Sequence, residues 1–462
     1  MNAQSAPLTE RKYYLPFVLV TSLFFLWAIG VNLNDVLIPH LKKAFELTDF
    51  ESSFIQVAFF GGYFLAAFPA GWLMEKIGYK GGIVVGLLIC ATGTLLFLPA
   101  ANSRVYAFFL FALFVMSSGQ SFLEVGANPY VTVLGPAGSS ERRLNFAQSF
   151  NAVGAVLVPL LGAAFILSGV EYTHAQRIAM TPQQLDAYIA SEANLVKVPY
   201  LIITALFLVV AAMIYFAHLP EVQTANEKEA GKSTDSVLAH PHLIKGVIAQ
   251  FFYVGAQVGV GSFVIRFTKH TMPDTLNNIA ARFAGAQVGE GSFLERLQLH
   301  LTPSTPEKAA ALFLVAHQFG FMIGRFSGSA MMKRIPAPRL LSIFGVGALI
   351  CVAIGISAPG LISVLAIVLV GFFNSIMFPT IFALSLKNLG SLTKRGSSLL
   401  VMSIIGGALI PAAMGKLSDL TNIRTAFILP LICYTYVTYF ALRGYRPTGE
   451  VVVGEEAATS GA

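Results

Sequence analysis

The chain has 462 residues, 55% of them hydrophobic and only 11% charged, with a formal net charge of +7. Soluble domains carry about 25% charged residues, so a water-soluble globular fold is excluded. The positive charge falls mostly in short loops instead of an aromatic-interleaved stripe, which argues against nucleic acid as a partner.

The apolar residues come in blocks of about 20, enough to cross a hydrocarbon core about 30 Å thick. Continuous runs exclude a barrel, and unsatisfied edges exclude an open sheet, so the expected fold is an all-α polytopic membrane protein. Twelve segments are predicted, at 14–38, 51–73, 82–100, 105–133, 145–168, 199–217, 244–268, 307–332, 340–358, 361–385, 396–415 and 423–442. The first follows a short polar start and has no small-residue cleavage site, so it reads as a retained helix and not a signal peptide.

The first segment carries Asn32, Asn34 and Asp35, and the fourth carries Gln120 and Glu124. Asp35 and Glu124 are nearly alone as acids within apolar stretches. A carboxylate near the bilayer centre costs roughly 2.5–3.5 kcal/mol, so it is expected to face a cavity, a partner or a proton path. Asn32 and Asp35 share one helix face, as do Gln120 and Glu124, by their spacings of three and four. The fifth segment opens with Asn145, Gln148 and Asn151 at three-residue spacing. Amides and carboxyls both accept and donate hydrogen bonds, which suits a polyol such as a sugar. Trp27, Phe59, Tyr63, Tyr253 and Phe378 are candidate aromatic seats for its apolar faces, Gln257 and Asn374 candidate amides. A carboxyl protonated facing outside and deprotonated facing inside couples transport to protons, and no base within the first half neutralises these two acids. His317 in the eighth segment reads as a packing histidine.

The stretch Gly71-Trp-Leu-Met-Glu75-Lys76-Ile-Gly78-Tyr-Lys80 joins the second and third segments, with a weaker echo at Gly324-Arg325-Phe-Ser-Gly328, Lys333 and Arg334. The first resembles the loop signature of major facilitators, read physically as a turn at the glycines and a charge latch favouring the outward-open state. Arg325 is expected to snorkel toward the nearer surface. The gating set is Gly71, Glu75, Lys76, Gly78, Lys80, Arg143 and Arg395.

The polar stretch EVQTANEKEAGKSTDS lies between the sixth and seventh segments. It divides the chain into a six-helix bundle at 1–217, a linker at 218–243, a second bundle at 244–445 and a tail at 446–462. The halves repeat: Arg143, Gly154 and Pro159 recur as Arg395, Gly406 and Pro411, a constant offset. Parallel repeats fit the major facilitator architecture, twelve helices in two six-helix bundles with a site between them. Lys and Arg cluster on one side, which places both termini, the linker and the tail in the cytoplasm. Residues 269–306 are predicted outside and include a short amphipathic helix, and 169–198 form a second outer segment.

Cys90, Cys351 and Cys433 lie in apolar segments without paired spacing and read as core residues. His240 and His242 lack further ligands, so no metal site is expected. No phosphate-binding Walker motif and no nucleophile–base spacing is present, so neither an ATP-driven pump nor an enzyme is expected, and no cofactor.

Six stretches carry a closer resemblance: NLNDVLIPHLKKAF, QSFLEVGANPYVTVLGP, RLNFAQSFNAVGA, FYVGAQVGVGSFVIRF, FNSIMFPTIFALSLKNLG and GSSLLVMSIIGGALIP. They resemble the fucose/galactose/glucose:proton symporter family of the major facilitators, over essentially the whole bundle. The resemblance implies proton coupling and sugar binding at Asp35 and Glu124, and sugar-binding amides at Asn32 and Asn151 with Gln148 beside them. Asn374 and Phe378 look closer to the glucose/galactose branch. The expected activity is proton-coupled hexose import by a monomer in the bacterial inner membrane. The alternatives are a symporter for L-fucose or N-acetylglucosamine, sodium coupling, and a facilitator-type exporter.

Overall fold

The computed structural model describes residues 6–44, 49–103, 105–166, 180–181, 183–184, 197–220, 236–283 and 302–447; the side chains of 33–44, 49–50, 52–53 and 159–166 are not described. No strand occurs among these residues. The helices are α1 (Tyr14–Ala44), α2 (Asp49–Ser103), α3 (Tyr106–Val133), α4 (Ser140–Ile166) and α5 (Lys197–Phe216) in the first half. The second half has α6 (Pro241–Thr271), α7 (Pro273–Phe283), α8 (Pro306–Met331), α9 (Ala337–Ser357), α10 (Gly360–Asn374) and α11 (Met377–Ser385). It ends with α12 (Thr393–Met402), α13 (Gly406–Leu420) and α14 (Ile428–Tyr439).

Local chemistry sets several boundaries. Proline stands at the first position of α6 and α8, where its missing N–H breaks no helical bond. Thr305 caps α8 by accepting from the Lys308 N–H at 3.2 Å. The second and third predicted segments run together as α2, 55 residues long, with no separate loop between them. Its one non-helical residue is Gly78, at φ 75°, a conformation that a side chain disfavours. The chain therefore reverses at that glycine. The tenth predicted segment is divided at Ser375 and Ile376 into α10 and α11, and the eleventh at 403–405 into α12 and α13.

Ten described helical stretches are long and apolar enough to cross a membrane, one of them the 50-residue Phe54–Ser103. α4 coincides with the fifth predicted segment. Small polar groups join the spans internally: Thr94 and Thr204 hydroxyls meet at 2.8 Å, and Ser121 donates to the Tyr63 carbonyl at 2.9 Å. Phe97 stacks on Tyr200 at 3.9 Å. Such hydrogen bonds and close packing hold helices together where lipid removes the hydrophobic drive. The repeat in sequence is a repeat in packing: α1 lies against α4, and α6 against α13.

Of the outer segments, Pro273–Phe283 is a helix that overlaps only the first seven residues of the stretch 277–301 expected to be amphipathic, with Leu276 buried against Ala309 and Ala310 of α8. Residues 284–301, most of 169–196, the linker at 221–235 and the tail from 448 lie outside the described residues.

The halves are tied together from mid-bundle to the end that carries the N-terminus. Arg325 donates to the Gln148 carbonyl at 2.7 Å, Ser397 to the Val125 carbonyl at 2.8 Å and Ser329 to the Arg142 carbonyl at 3.2 Å. Asn145 reaches the Thr380 hydroxyl at 3.1 Å, and Lys387 pairs with Glu141. This basic end is closed.

Candidate functional site

Glu124 sits on α3, only 6% exposed, among polar groups from both halves. Asn128, one turn on, donates to the Glu124 backbone carbonyl at 3.1 Å and reaches its carboxylate at 3.5 Å. Gln148 of α4 donates to the Asn128 side-chain oxygen at 2.8 Å. Tyr63 and Gln120 stand on the same side; the Tyr63 hydroxyl lies 3.4 Å from the Gln120 oxygen and feels the Glu124 charge.

The second half meets this group through Arg325, which the sequence reading sends to the surface. That expectation is corrected: Arg325 is 3% exposed and points into the bundle. Its Nε donates to the Ser375 carbonyl and its Nη1 to the Gln148 carbonyl, both at 2.7 Å, while its guanidinium lies 4.6 Å over the Phe321 ring. The broken turn between α10 and α11 frees the Ser375 carbonyl from helical bonding, so a fixed acceptor faces the guanidinium. Arg325 interacts through charge with Glu124 and Tyr253. The second half thus brings a buried cation within electrostatic reach of Glu124, with no ion pair between the two among the described residues.

Tyr253 of α6 donates to the Asn374 carbonyl at 3.0 Å, and its ring lies 6.3 Å from Phe378. The Asn374 side chain is buried beside the Tyr434 hydroxyl, and neither makes a well-formed hydrogen bond among the described residues. Buried amides in this state are rare. Tyr253 thus links the Asn374 backbone to the Phe378 ring within the second half. Gln257 is half-buried one turn beyond Tyr253 on α6.

The remaining sugar-site candidates lie along α1 and α4. Asn32 turns back on its own helix, donating to the Ala28 carbonyl at 2.7 Å. Asn151 donates to the Phe24 carbonyl at 3.3 Å, and Trp27 packs on Phe24 at 4.8 Å. The side chain of Asp35 lies outside the described residues; its backbone is part of α1. His317 is buried in α8 with Nδ1 3.4 Å from the Ile367 carbonyl, as a packing histidine would be.

The gating set separates into two kinds. Glu75 and Arg395 form a two-pronged ion pair across the halves at 2.6 and 3.1 Å. Gly71 lets α2 approach α12 closely: a Cβ there would make the Ser398 hydroxyl turn away and would crowd the Lys394 carbonyl. Lys76 instead covers Trp72 at 3.6 Å, and Lys80 donates to the Ala217 carbonyl at 2.9 Å. Arg143 is fully buried and binds only groups of the first half, among them the carbonyls of Val131 at 2.7 Å and Leu8 at 2.9 Å. Its work is to fasten the turn between α3 and α4 and the N-terminal segment.

A latch across partly exposed groups is worth about 0.2–1 kcal/mol. Glu75→Gln is therefore expected to raise labelling of a cysteine placed on the Ser397 side of the closed end by about 1.4- to five-fold. Unchanged labelling would show that the pair does not bias closure.

Asn128, Ser375 and Arg325 join the site without having been singled out as binding groups. Asn128 could have been found from its i+4 spacing to Glu124. No group of three or more metal-ligating residues occurs among the described residues.

Residues 20–404 match the Major Facilitator Superfamily. The chain is 38% identical over 439 residues to a glucose/galactose transporter of Brucella abortus (strain 9-941), covering 95% of this chain and 96% of the relative. It is 39% identical over 439 residues to an L-fucose-proton symporter of Escherichia coli (strain K12), covering 94% and 93%. Among solved structures, the transporter FucP in the outward conformation superposes with a TM-score of 0.79 at 39% identity, over 94% of this chain and 99% of that one. With its apolar spans and these relatives, this chain is a multi-pass inner-membrane protein and belongs to the Major Facilitator Superfamily.

Proposed function

We propose that the protein is a secondary transporter that imports a hexose together with a proton by alternating access. The observation that carries this reading is the buried Glu124, flanked by amides and faced by Arg325 from the other half. A carboxyl placed between two halves can take a proton when one side is open and release it when the other is. The buried Asn374 amide and the Tyr253 and Phe378 rings suit a polyol with apolar faces. The names of the relatives, glucose/galactose transporter and L-fucose-proton symporter, support the same substrate class and ion.

In this reading the bundles span 1–217 and 244–445, joined by a linker at 218–243 and followed by a tail at 446–462. Both termini are cytoplasmic, as the excess of Lys and Arg at the closed end supports. The protein works as a monomer, with the sugar between the bundles. Glu124, Gln148, Asn374, Tyr253 and Phe378 hold it at the centre, with Asn32, Asn151, Trp27 and Gln257 at the margins. Asp35 gates protonation nearer the outer mouth. A closed basic end is then a cytoplasmic gate held shut, with Glu75 and Arg395 as its latch.

Uptake of labelled glucose, galactose and fucose into vesicles, under an imposed proton or sodium gradient, tests the reading. Proton-driven accumulation of at least one hexose is expected, and Asp35→Asn is expected to abolish it while leaving exchange of sugar across the membrane. Accumulation driven by sodium alone would overturn the coupling ion, and persistent accumulation by Asp35→Asn would remove that residue from the proton path.

A further inference from the structure

A second pocket lies in the seam between α4 and α8, at the basic end and away from Glu124. It is a cavity of about 710 Å³ beneath the N-terminal segment, residues 6–8. Arg142, Lys333 and Arg334 bring three positive charges to it, and Phe146 and Phe326 form an apolar wall. Phe326 is 38% exposed, and Ile323, one turn earlier on α8, faces outward as well. The wall thus runs from the charged pocket onto a face of the kind that meets lipid chains.

The seam on the other side of the bundle explains what is missing here. There the stretch Gly71 to Lys80 places Glu75 against Arg395. The echo Gly324 to Arg334 carries no acid at all. Arg143, the repeat partner of Arg395, has turned away to bind carbonyls of its own half. Among the described residues the seam therefore keeps its cations and lacks its acid. The nearest carboxylate on α4, Glu141, is engaged by Lys387.

Arg142 carries the mark of an unfilled contact. It is 9% exposed, its Nη2 donates to the Ala6 carbonyl at 2.9 Å, and its buried Nε has no partner among the described residues. A buried guanidinium N–H without an acceptor costs stability unless something supplies one. Ser329 of α8 donates to the Arg142 backbone carbonyl at 3.2 Å, so an acceptor placed there would bridge the two halves.

We propose that this pocket binds the headgroup of an anionic phospholipid, with its phosphate on Arg142, Lys333 and Arg334 and an acyl chain along Phe326. The lipid supplies the negative charge that Glu75 supplies in the opposite seam, and holds the basic end shut. A bare phosphate shares the headgroup chemistry, but the aromatic wall favours a ligand with a chain.

The test is retention of phosphatidylglycerol by the full-length protein, read by native mass spectrometry after exchange into phosphatidylcholine nanodiscs. Each basic side chain near a lipid surface contributes about a factor of five, so K333Q/R334Q is expected to lower retention about thirty-fold. Both positions are exposed at a helix end, and an unchanged melting temperature in phosphatidylcholine verifies that the variant folds. Phosphatidylglycerol is further expected to lower labelling of a cysteine behind the basic end in the wild type and not in K333Q/R334Q. Equal retention by the two proteins would overturn the site. Displacement of the lipid by millimolar inorganic phosphate would overturn the lipid as its occupant.

Discussion

Glu124→Gln is expected to abolish proton-driven accumulation of sugar while preserving exchange of sugar for sugar. Glutamine has the shape of the acid and keeps an oxygen for the Asn128 amide, which reaches the Glu124 carboxylate at 3.5 Å. What it lacks is a proton to exchange. A gradient of one pH unit sustains up to about a tenfold sugar ratio for one coupled proton. The variant is expected to reach a ratio of about one under the same gradient. Glu124→Ala goes further, because it removes the Asn128 contact and opens a polar hole. An unsatisfied buried amide costs about 1–3 kcal/mol, so sugar affinity is expected to fall by about ten-fold or more. Equilibrium binding and counterflow separate the two effects. If Glu124→Gln still concentrates sugar, Glu124 holds the substrate and the transported proton travels elsewhere, with Asp35 the remaining membrane acid.

The spans and both acids were readable because bilayer thickness dictates apolar runs and makes a carboxyl within them conspicuous. Arg325 was not. An arginine behind a glycine near the end of an apolar run has two outlets, the surface or the partner half. Sequence spacing gives the face of a helix but not what lies opposite. The deciding groups, the Ser375 carbonyl and the Gln148 carbonyl, are backbone atoms 50 and 177 positions away in the chain. Backbone acceptors leave no trace in residue identity. The same holds for Arg143, whose partners are carbonyls of a turn and of the N-terminal segment. The Glu75–Arg395 latch joins side chains and rests on a loop signature, so its members were legible though their pairing was not. The break of the tenth segment at Ser375 has a cause written in the sequence: Pro379, four positions on, offers no N–H to the Ser375 carbonyl and crowds it, and the carbonyl so freed is the one Arg325 takes.

Arg325→Met is expected to shift the protein toward the state open at the basic end and to stop coupled transport. Two bonds are lost, and they do different things. The bond to Ser375 stays within the second half and shapes the break between α10 and α11. The bond to Gln148 crosses the halves and can exist only while they are closed at this depth. A hydrogen bond from a charged donor is worth about 1.5–3 kcal/mol, so losing the crossing bond alone shifts the ratio of closed to open about ten- to 150-fold. The charge of Arg325 also reaches Glu124, which adds attraction between the halves when the carboxyl is ionised. In the proposed cycle, protonation of Glu124 removes that attraction and so loosens the basic end. Arg325→Met removes the sensitivity together with the bond, so its conformational ratio is expected to be independent of pH. Arg325→Lys keeps the charge but cannot serve the Ser375 and Gln148 carbonyls in the fixed fork of a guanidinium. It is expected to retain pH sensitivity with a smaller closed population. Distances between spin labels on α4 and α8, measured across pH in the wild type and both variants, give the ratio directly. A wild-type ratio that ignores pH, or an Arg325→Met ratio that follows it, would place the link between proton and gate outside the Glu124–Arg325 pair.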